Sequence, residues 1–452
     1  MIYWAPLLHF YQPPTQLHWV LRKVCDESYR PLVQLFSDLP YAKATININA
    51  VLTEMLYDHG FNDVIMGLRE LAKRGQVEFT GSGKYHPILP LIPRAEMERQ
   101  ISQNAKSNKR LFGKVYEPKV FFPPEMCYSN DILKPVIDSG HQWIILSGIA
   151  CPVEWPVNVI HDIETDGSKL AVFFRDNILS NKISFQDIDA NGFIEHLKQA
   201  QRYQRGSGDI YVVTAMDAET FGHHIQDWEK LFLAEVYQSL EPDMAEMEKA
   251  EEGDQLSIGS PAGPPQARIL AKQHGSLLQS PEVAEVKEIQ AVTISELLDV
   301  FPRGQTIEPK ASSWSTENSD IEAGNPYPLW KASHNILHQH QWEHLDIAMD
   351  MVYKAIAEAK TDAIKEYADI ARALLDQALH SCQFWWASRR PMWDINLIYN
   401  GLIQQRQVIL NAYKAISLSD CSAEDKKEYY YKVVAARDLS NKIVDKIFMT
   451  PE

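Results

Sequence analysis

Two acidic residues stand where a carboxylate could do chemistry. Glu125 lies in VFFPPEMCYS and Asp217 in YVVTAMDAETFGHH, each directly after an apolar run. A glutamate is usually a solvated surface residue, but the two prolines before Glu125 fix the backbone direction and its apolar flanks point to a buried mouth. Apolar surroundings would raise the Asp217 carboxyl towards the range a general acid needs near neutral pH. DAE also resembles a helix start, so on spacing alone a capping role for Asp217 stands level with a catalytic one. Two carboxylates at the ends of different strands of one barrel can face each other across its mouth. Retaining cleavage of a glycosidic bond needs such a pair about 5–5.5 Å apart, one attacking and the other acting as acid and then base.

Other polar residues also follow strand-like runs. GQVEFTGSGKYHPILPLIP supplies Glu78 and His86, and LLHFYQPP supplies His9. GSGK does not make a phosphate loop, because Glu78 occupies the place of the first glycine and Tyr85 the place of Ser/Thr. A lone histidine is more often a bonded core residue than a ligand; the YQPP loop after His9 favours a substrate contact. In HNILHQHQWEH, His334 with His338 and His340 with His344 have the i, i+4 spacing of a zinc pair. HExxH is absent, and the polar residues fit a solvated helix face, so no metal is expected there.

Short β-rich runs alternate with amphipathic helical stretches over the first part of the chain, the pattern of a parallel sheet with crossover helices. Strands are expected over 2–9, 44–48, 77–80, 119–122, 143–146, 171–175 and 210–216, as continuous apolar runs covered on both faces. His9, Asn47, Glu125, Asp176 and Asp217 fall at their ends, and in a parallel barrel these ends converge on one mouth. The acidic run EPDMAEMEKAEEGD and the stretch SIGSPAGPPQ read as a flexible insertion at about 241–285. A barrel domain is thus expected over 1–303. Helical periodicity resumes beyond Trp330, giving a helical region over 304–452, interrupted by the aromatic segment FWWASRRPMW. No internal repeat is present.

A chain of 452 residues with 45% apolar and 23% charged residues is an ordinary globular composition with room for a main domain and a second region. The net charge of −16 and the lack of a dense Lys/Arg run argue against a nucleic-acid partner. Most of the eleven tryptophans read as core packing, and a surplus of them suits stacking on the apolar faces of sugar rings. No run approaches the ~18 apolar residues of a membrane helix, and MIYWAPLLHFYQPP reads as a buried strand rather than a signal peptide. Five scattered cysteines without CxxC spacing are expected as free thiols in a reducing compartment, hence the cytoplasm. Oligomeric state is not legible.

Taken in order, HFYQP, GQVEFTGSGKYHPILP, FFPPEMCYS and MDAETFGHH resemble the first four signature regions of glycoside hydrolase family 57, and SCQFWWASRRPMW stands where that family has a fifth, aromatic one. The resemblance runs from residue 1 to about residue 400. It implies an α/β fold, a (β/α)7 parallel barrel with a C-terminal helical region packed over the mouth, and a retaining mechanism without metal or cofactor on an α-glucan or malto-oligosaccharide. Glu125 matches the nucleophile and Asp217 the acid/base. His9, Glu78 and His86 match donor-subsite residues, and Trp385 or Trp386 a sugar-stacking aromatic, with Arg389 and Arg390 at the rim. Tyr11 replaces a frequent histidine, Phe122 a frequent tryptophan and His224 another, which weakens the acceptor platform and favours hydrolysis over transfer. The alternatives are a 4-α-glucanotransferase or branching enzyme. More distant are a metal-dependent deacetylase or mannosidase, which would need an Asp/His cluster beside His9, and an inactive glucan-binding protein, which would have lost a carboxylate.

Overall fold

The computed structural model describes residues 1–203, 208–240, 289–390 and 392–449; the expected insertion at about 241–285 lies outside them. Seven parallel strands curl into a barrel in the order β7, β5, β4, β3, β2, β1, β8. They are β1 (Ile2–Phe10), β2 (Ala44–Ile48), β3 (Val77–Gly81), β4 (Val120–Phe121), β5 (Trp143–Ser147), β7 (Ser168–Arg175) and β8 (Ile210–Asp217). These are the seven strands expected from sequence, within a few residues at each end. Between β7 and β8 the wall closes through single bonds: Asp176 N donates to Val213 O (2.8 Å) and Arg175 Nε to Ala215 O (2.6 Å).

The sheet also contains strands the sequence reading did not assign. β6 (Ile160–Thr165) runs antiparallel to β7. Asp166 and Gly167 join them, both with positive φ (49° and 74°), as a two-residue hairpin turn demands. β9 (Ile289–Ala291) pairs with the first residues of β1, whereas β2 pairs with β1 only from Leu7 onward. The chain thus returns to fill the lower gap between β1 and β2. β10 (Arg303–Thr306) extends the sheet beside β6, so the sheet reaches three residues beyond 303.

Alternation along each strand sorts side chains between two cores. Ile2, Trp4, Leu8 and Phe10 of β1 join the outer layer with helix residues such as Leu32, Phe36 and Leu52. Ala5 and Leu7 join Val120, Phe122, Ile145, Phe173, Val213 and Ala215 inside the barrel, where Ile294, Leu297 and Phe301 pack from below. The same parity turns His9, Asn47, Thr80, Arg175 and Asp217 inward at the C-terminal ends of their strands.

Helices Ile336–Ala357, Asp362–Ala378, Ile395–Leu418 and Ala423–Met449 form the helical region, whose core is continuous with the outer faces of β4, β5 and β7. A buried ionic cluster joins it to the barrel helix Arg94–Phe112: Arg372 bonds Glu96 through both terminal nitrogens (2.7 Å each) and Asp376 (2.9 Å), while Arg99 forks onto Asp376 (2.7 Å twice). Just beyond this cluster, His380 bridges Pro87 and Ser381 N donates to His86 O (3.1 Å), which lays the segment before the expected aromatic patch across the barrel mouth. Among the described residues no helix is long and apolar enough to cross a membrane, and the five cysteines are free thiols, of which Cys25 and Cys127 are buried.

Candidate active site

Glu125 sits where a very short strand is forced to stop. β4 is two residues long, Pro123 and Pro124 follow Phe122, and the backbone then turns left-handed at Glu125 (φ 58°) and Met126 (φ 48°). Such a conformation costs a non-glycine residue about 1–3 kcal/mol. It is held by Met126 N on Pro123 O (2.7 Å), Cys127 N on Pro124 O (3.0 Å) and Trp314 N on Glu125 O (3.1 Å). The carboxylate keeps 14% of its side-chain surface open. Trp314 Nε1 donates to its Oε2 (2.9 Å) and Ser381 Oγ to its Oε1 (3.3 Å). Burial first, and the charge of Asp217 second, push its pKa from an ordinary 4.5 up to about 8, against these two hydrogen bonds.

Asp217 ends β8 on the inward parity, level with His9 in the ladder. The capping alternative does not hold: the turn Ala218–Thr220 follows Asp217, but its side chain makes no cap bond there. Asp176, another expected strand-end candidate, is the residue that caps, accepting from Leu179 N (2.8 Å). Burial raises the pKa of Asp217, opposed by the nearby His9 and Arg175. Glu219, two residues on, is pushed up to about 8 by burial and by the charge of Asp217; its Oε1 accepts from Gln12 Nε2 (3.0 Å) and from the Tyr29 hydroxyl.

The histidines form the floor. Asn47 Nδ2 donates to Thr80 Oγ1 (2.7 Å), so its Oδ1 accepts the Nδ1 proton of His9 (2.6 Å), and the His9 Nε2 is left as an acceptor. The His9 ring stacks on Phe122 and on His86 (centroids 4.9 Å each). His86 Nδ1 meets Ser381 Oγ (2.9 Å) and lies 3.5 Å from Glu125 Oε1; burial holds its pKa well below the ordinary value, so it is neutral beside the carboxylate. Tyr11 stacks on His86 (4.0 Å), and the Cys382 thiol donates to its hydroxyl (3.4 Å). Arg175 is buried, anchored on Asn177 (3.0 Å) and Asn181 (2.9 Å), and its guanidinium lies 6.0 Å over Trp314.

His9, His86, Glu125 and Asp217 therefore meet at the mouth as expected, whereas Glu78 does not. It is the second residue of β3, paired with Thr45 at the opposite end of the barrel. There it accepts from Thr45 Oγ1 (2.6 Å), Ser295 N (3.1 Å) and Ser295 Oγ, tying down the chain after β9. Its place in the strand, not its residue type, removes it from the site. Trp385 packs against the outer core shared with the barrel and Trp386 against the helical core, with their rings edge to face (4.6 Å). Ser381 and Cys382 of the same segment make the contacts to Glu125 and Tyr11 instead. Arg390 pairs with Glu317 and Asp320, and Arg389 lies over Trp393 (4.7 Å). Phe122 is wholly buried beneath His9 and offers no face to a sugar.

The His338 and His344 rings are core residues. The former bonds Ala332 N and Phe384 O, the latter Gln405 (2.7 Å). No three His, Cys, Asp or Glu side chains among the described residues gather as a metal would require. Sequence reading missed Trp314, Ser381, Arg175 and Glu219. Parity along β7 pointed to Arg175, and Glu219 lay within a quoted motif. Trp314, a lone indole in the polar stretch ASSWSTE, carried no spacing signal.

The profile of glycosyl hydrolase family 57 matches residues 8–252. An α-amylase from Pyrococcus horikoshii is 28% identical over 198 residues, 42% of this chain and 30% of the relative. A 4-α-glucanotransferase from Thermococcus kodakarensis is 26% identical over 223 residues, 48% of this chain and 32% of the relative. The aligned part thus spans about a third of these relatives. Two solved structures share the fold: a branching enzyme of the family from Thermococcus kodakaraensis (TM-score 0.65, 16% identity, 97% of this chain and 95% of that one) and the 4-α-glucanotransferase from Thermococcus litoralis (0.63, 18%, 92% and 59%). With more than half of its residues under one family profile and both carboxylates inside that stretch, the chain belongs to glycosyl hydrolase family 57.

Proposed function

We propose that the chain cleaves α-glucosidic bonds of glucans or malto-oligosaccharides through a covalent glycosyl-enzyme, with Glu125 as nucleophile and Asp217 as general acid and then base. The observation that carries this reading is the unequal setting of two inward carboxylates at one mouth. Glu125 is gripped by Trp314 and Ser381 and points from a fixed, left-handed turn, as an attacking group should. Asp217 has its proton affinity raised by burial and moderated by His9 and Arg175, as a group that must give up and retake a proton should. The electrostatic coupling between them fits the exchange: the charge of Asp217 raises Glu125, so the pair resists ionising together, and an ester on Glu125 leaves Asp217 to ionise alone for its second role. Burial holds both His9 and His86 below the ordinary imidazole value, so neither adds positive charge beside the carboxylates. The names of the relatives, an α-amylase and two 4-α-glucanotransferases among them, support a glucan as substrate.

Water is the favoured acceptor, because Phe122 is buried and cannot serve as the acceptor platform its position suggests. The chain is expected to be soluble in the cytoplasm. Incubation with maltoheptaose decides the acceptor: hydrolysis shortens the ladder and raises reducing ends in step. A ladder growing above the starting length with reducing ends flat would make the enzyme a transferase. Trapping with a fluorinated α-glucosyl fluoride should place the sugar ester on Glu125, and an ester elsewhere would overturn the assignment.

A further inference from the structure

Trp314 lies in the stretch between the barrel sheet and the helical region, outside the residues matched by the family profile. It nonetheless touches Glu125 twice, with its backbone N on the Glu125 carbonyl (3.1 Å) and its indole Nε1 on the Oε2 (2.9 Å). The ring is fixed in turn, edge-on to Phe122 (5.9 Å) and His9 (5.6 Å), with the Arg175 guanidinium over its face. A left-handed glutamate after two prolines has few ways to hold its carboxylate still, since its own strand has already ended.

We infer that Trp314 is the positioning residue of the nucleophile: its indole N–H fixes Glu125 Oε2 and favours the ionised form that attacks. This rests on the assignment of Glu125 above. A neutral N–H donor suits the task better than a cation would. It orients the oxygen and favours the charged form, without the tight ion pair that would blunt attack on the sugar. Ser381 grips the other oxygen at a longer 3.3 Å. The groups facing Glu125 are Asp217 from β8, His86 from the loop after β3, Tyr11 from the loop after β1, Cys382 from the covering segment and Cys127 beside it. Asp217, Tyr11, Cys127 and Cys382 carry negative charge or none, and the neutral His86 adds no positive charge, so a donor to Oε2 is the main force favouring ionisation of Glu125.

The test is W314F, together with β-(3-benzothienyl)alanine at position 314, which keeps the bicyclic ring and removes the N–H. Both should lower kcat/KM on maltoheptaose by about tenfold to a hundredfold, the range of a hydrogen bond to a charged group, with the loss in kcat rather than KM. The acid limb of the pH–rate profile should move to higher pH. In substrate-free protein, the carboxyl band assigned to Glu125 by difference infrared against E125Q should titrate at higher pH too. W314H, whose imidazole can donate, should recover part of the loss. Rates within twofold of wild type for the benzothienyl protein, or a loss confined to KM with the Glu125 titration unmoved, would overturn the inference and leave the ring as packing or as a sugar platform. The infrared readout needs no substrate, so it stands even if the wild-type enzyme proves inactive on α-glucans.

Discussion

The two ends of this barrel each hold inward-facing carboxylate, and the chain treats them in opposite ways. At the lower end, Glu78 is pushed up by burial but opposed by hydrogen bonds from Ser295, Thr45 and the backbone of Ser295 and Ile294. At the mouth, Glu125 has two donors, and the charge of Asp217 adds to burial instead of relieving it. A third setting is the cluster between barrel and helical region, where buried Glu96 and Asp376 are paired with arginines. A glutamate stands in each of the three, and burial raises the proton affinity of Glu78 and Glu125. What separates a catalytic carboxylate from a structural one is how far its neighbours leave its proton affinity unsatisfied, and whether it opens to the mouth.

The largest expected effect breaks that comparison at its centre. E125Q and D217N should each lose at least about 10³-fold in kcat while folded. With an activated glucosyl donor, D217N should recover much of its glycosylation rate, because a good leaving group needs little protonation. E78Q should keep kcat within about threefold and lose about 1–3 kcal/mol of stability through weakened bonds to Ser295 and Thr45. Steady-state kinetics beside denaturant unfolding checks all three; an E78Q enzyme that is stable but inactive would return Glu78 to the site.

Next in size is the ionic cluster. D376N removes the buried carboxylate shared by the partly exposed Arg99 and by Arg372, which keeps Glu96, at a cost of about 1–3 kcal/mol. Ser381 follows five residues later, so its contact with Glu125 should loosen as well. A lowered midpoint with a fall in kcat of several-fold is expected. Lost stability with kcat unchanged would show that the cover over the mouth holds its place without the cluster.

Much of this arrangement was legible beforehand, and the part that was not has a physical cause. Apolar runs announced the seven barrel strands because burial on both faces removes polar residues from them. The strand ends announced His9, Glu125 and Asp217 because parallel strands deliver their C-terminal residues to one place. Glu78 was misplaced because a motif carries residue identity but not height along the strand, and the second residue of a strand lies at the far end. The hairpin β6–β7 was missed although Asp166-Gly167 is a strong turn signal. β9, three residues long, is defined by the gap it fills beside β1, which sequence does not display. Trp314 and Ser381 reach Glu125 from 189 and 256 residues away. Contacts of that separation depend on how the helical region docks, and nothing in the local pattern of either residue records it.

The smallest effect sharpens the comparison through stability alone. Because the folded Glu125 holds its proton up to about pH 8, against an ordinary 4.5, the folded state binds more protons than the unfolded chain between these values. Stability must then fall as pH rises through that window, since unfolding releases a proton there. Above it, the folded enzyme carries a buried charge at a cost, and a neutral glutamine does not. E125Q should accordingly melt at the same temperature as wild type near pH 4 and roughly a few degrees higher near pH 9, with the difference opening between about pH 5 and 8. E78Q should be less stable than wild type at neutral pH, because its amide NH2 cannot accept the bonds that Thr45 and Ser295 donate to the carboxylate. Calorimetry across this range reads both at once. A stability gap for E125Q that is flat with pH would mean that Trp314 and Ser381 fully offset burial, and the carboxylates at the two ends of the barrel would then differ in access to the mouth and not in unsatisfied charge.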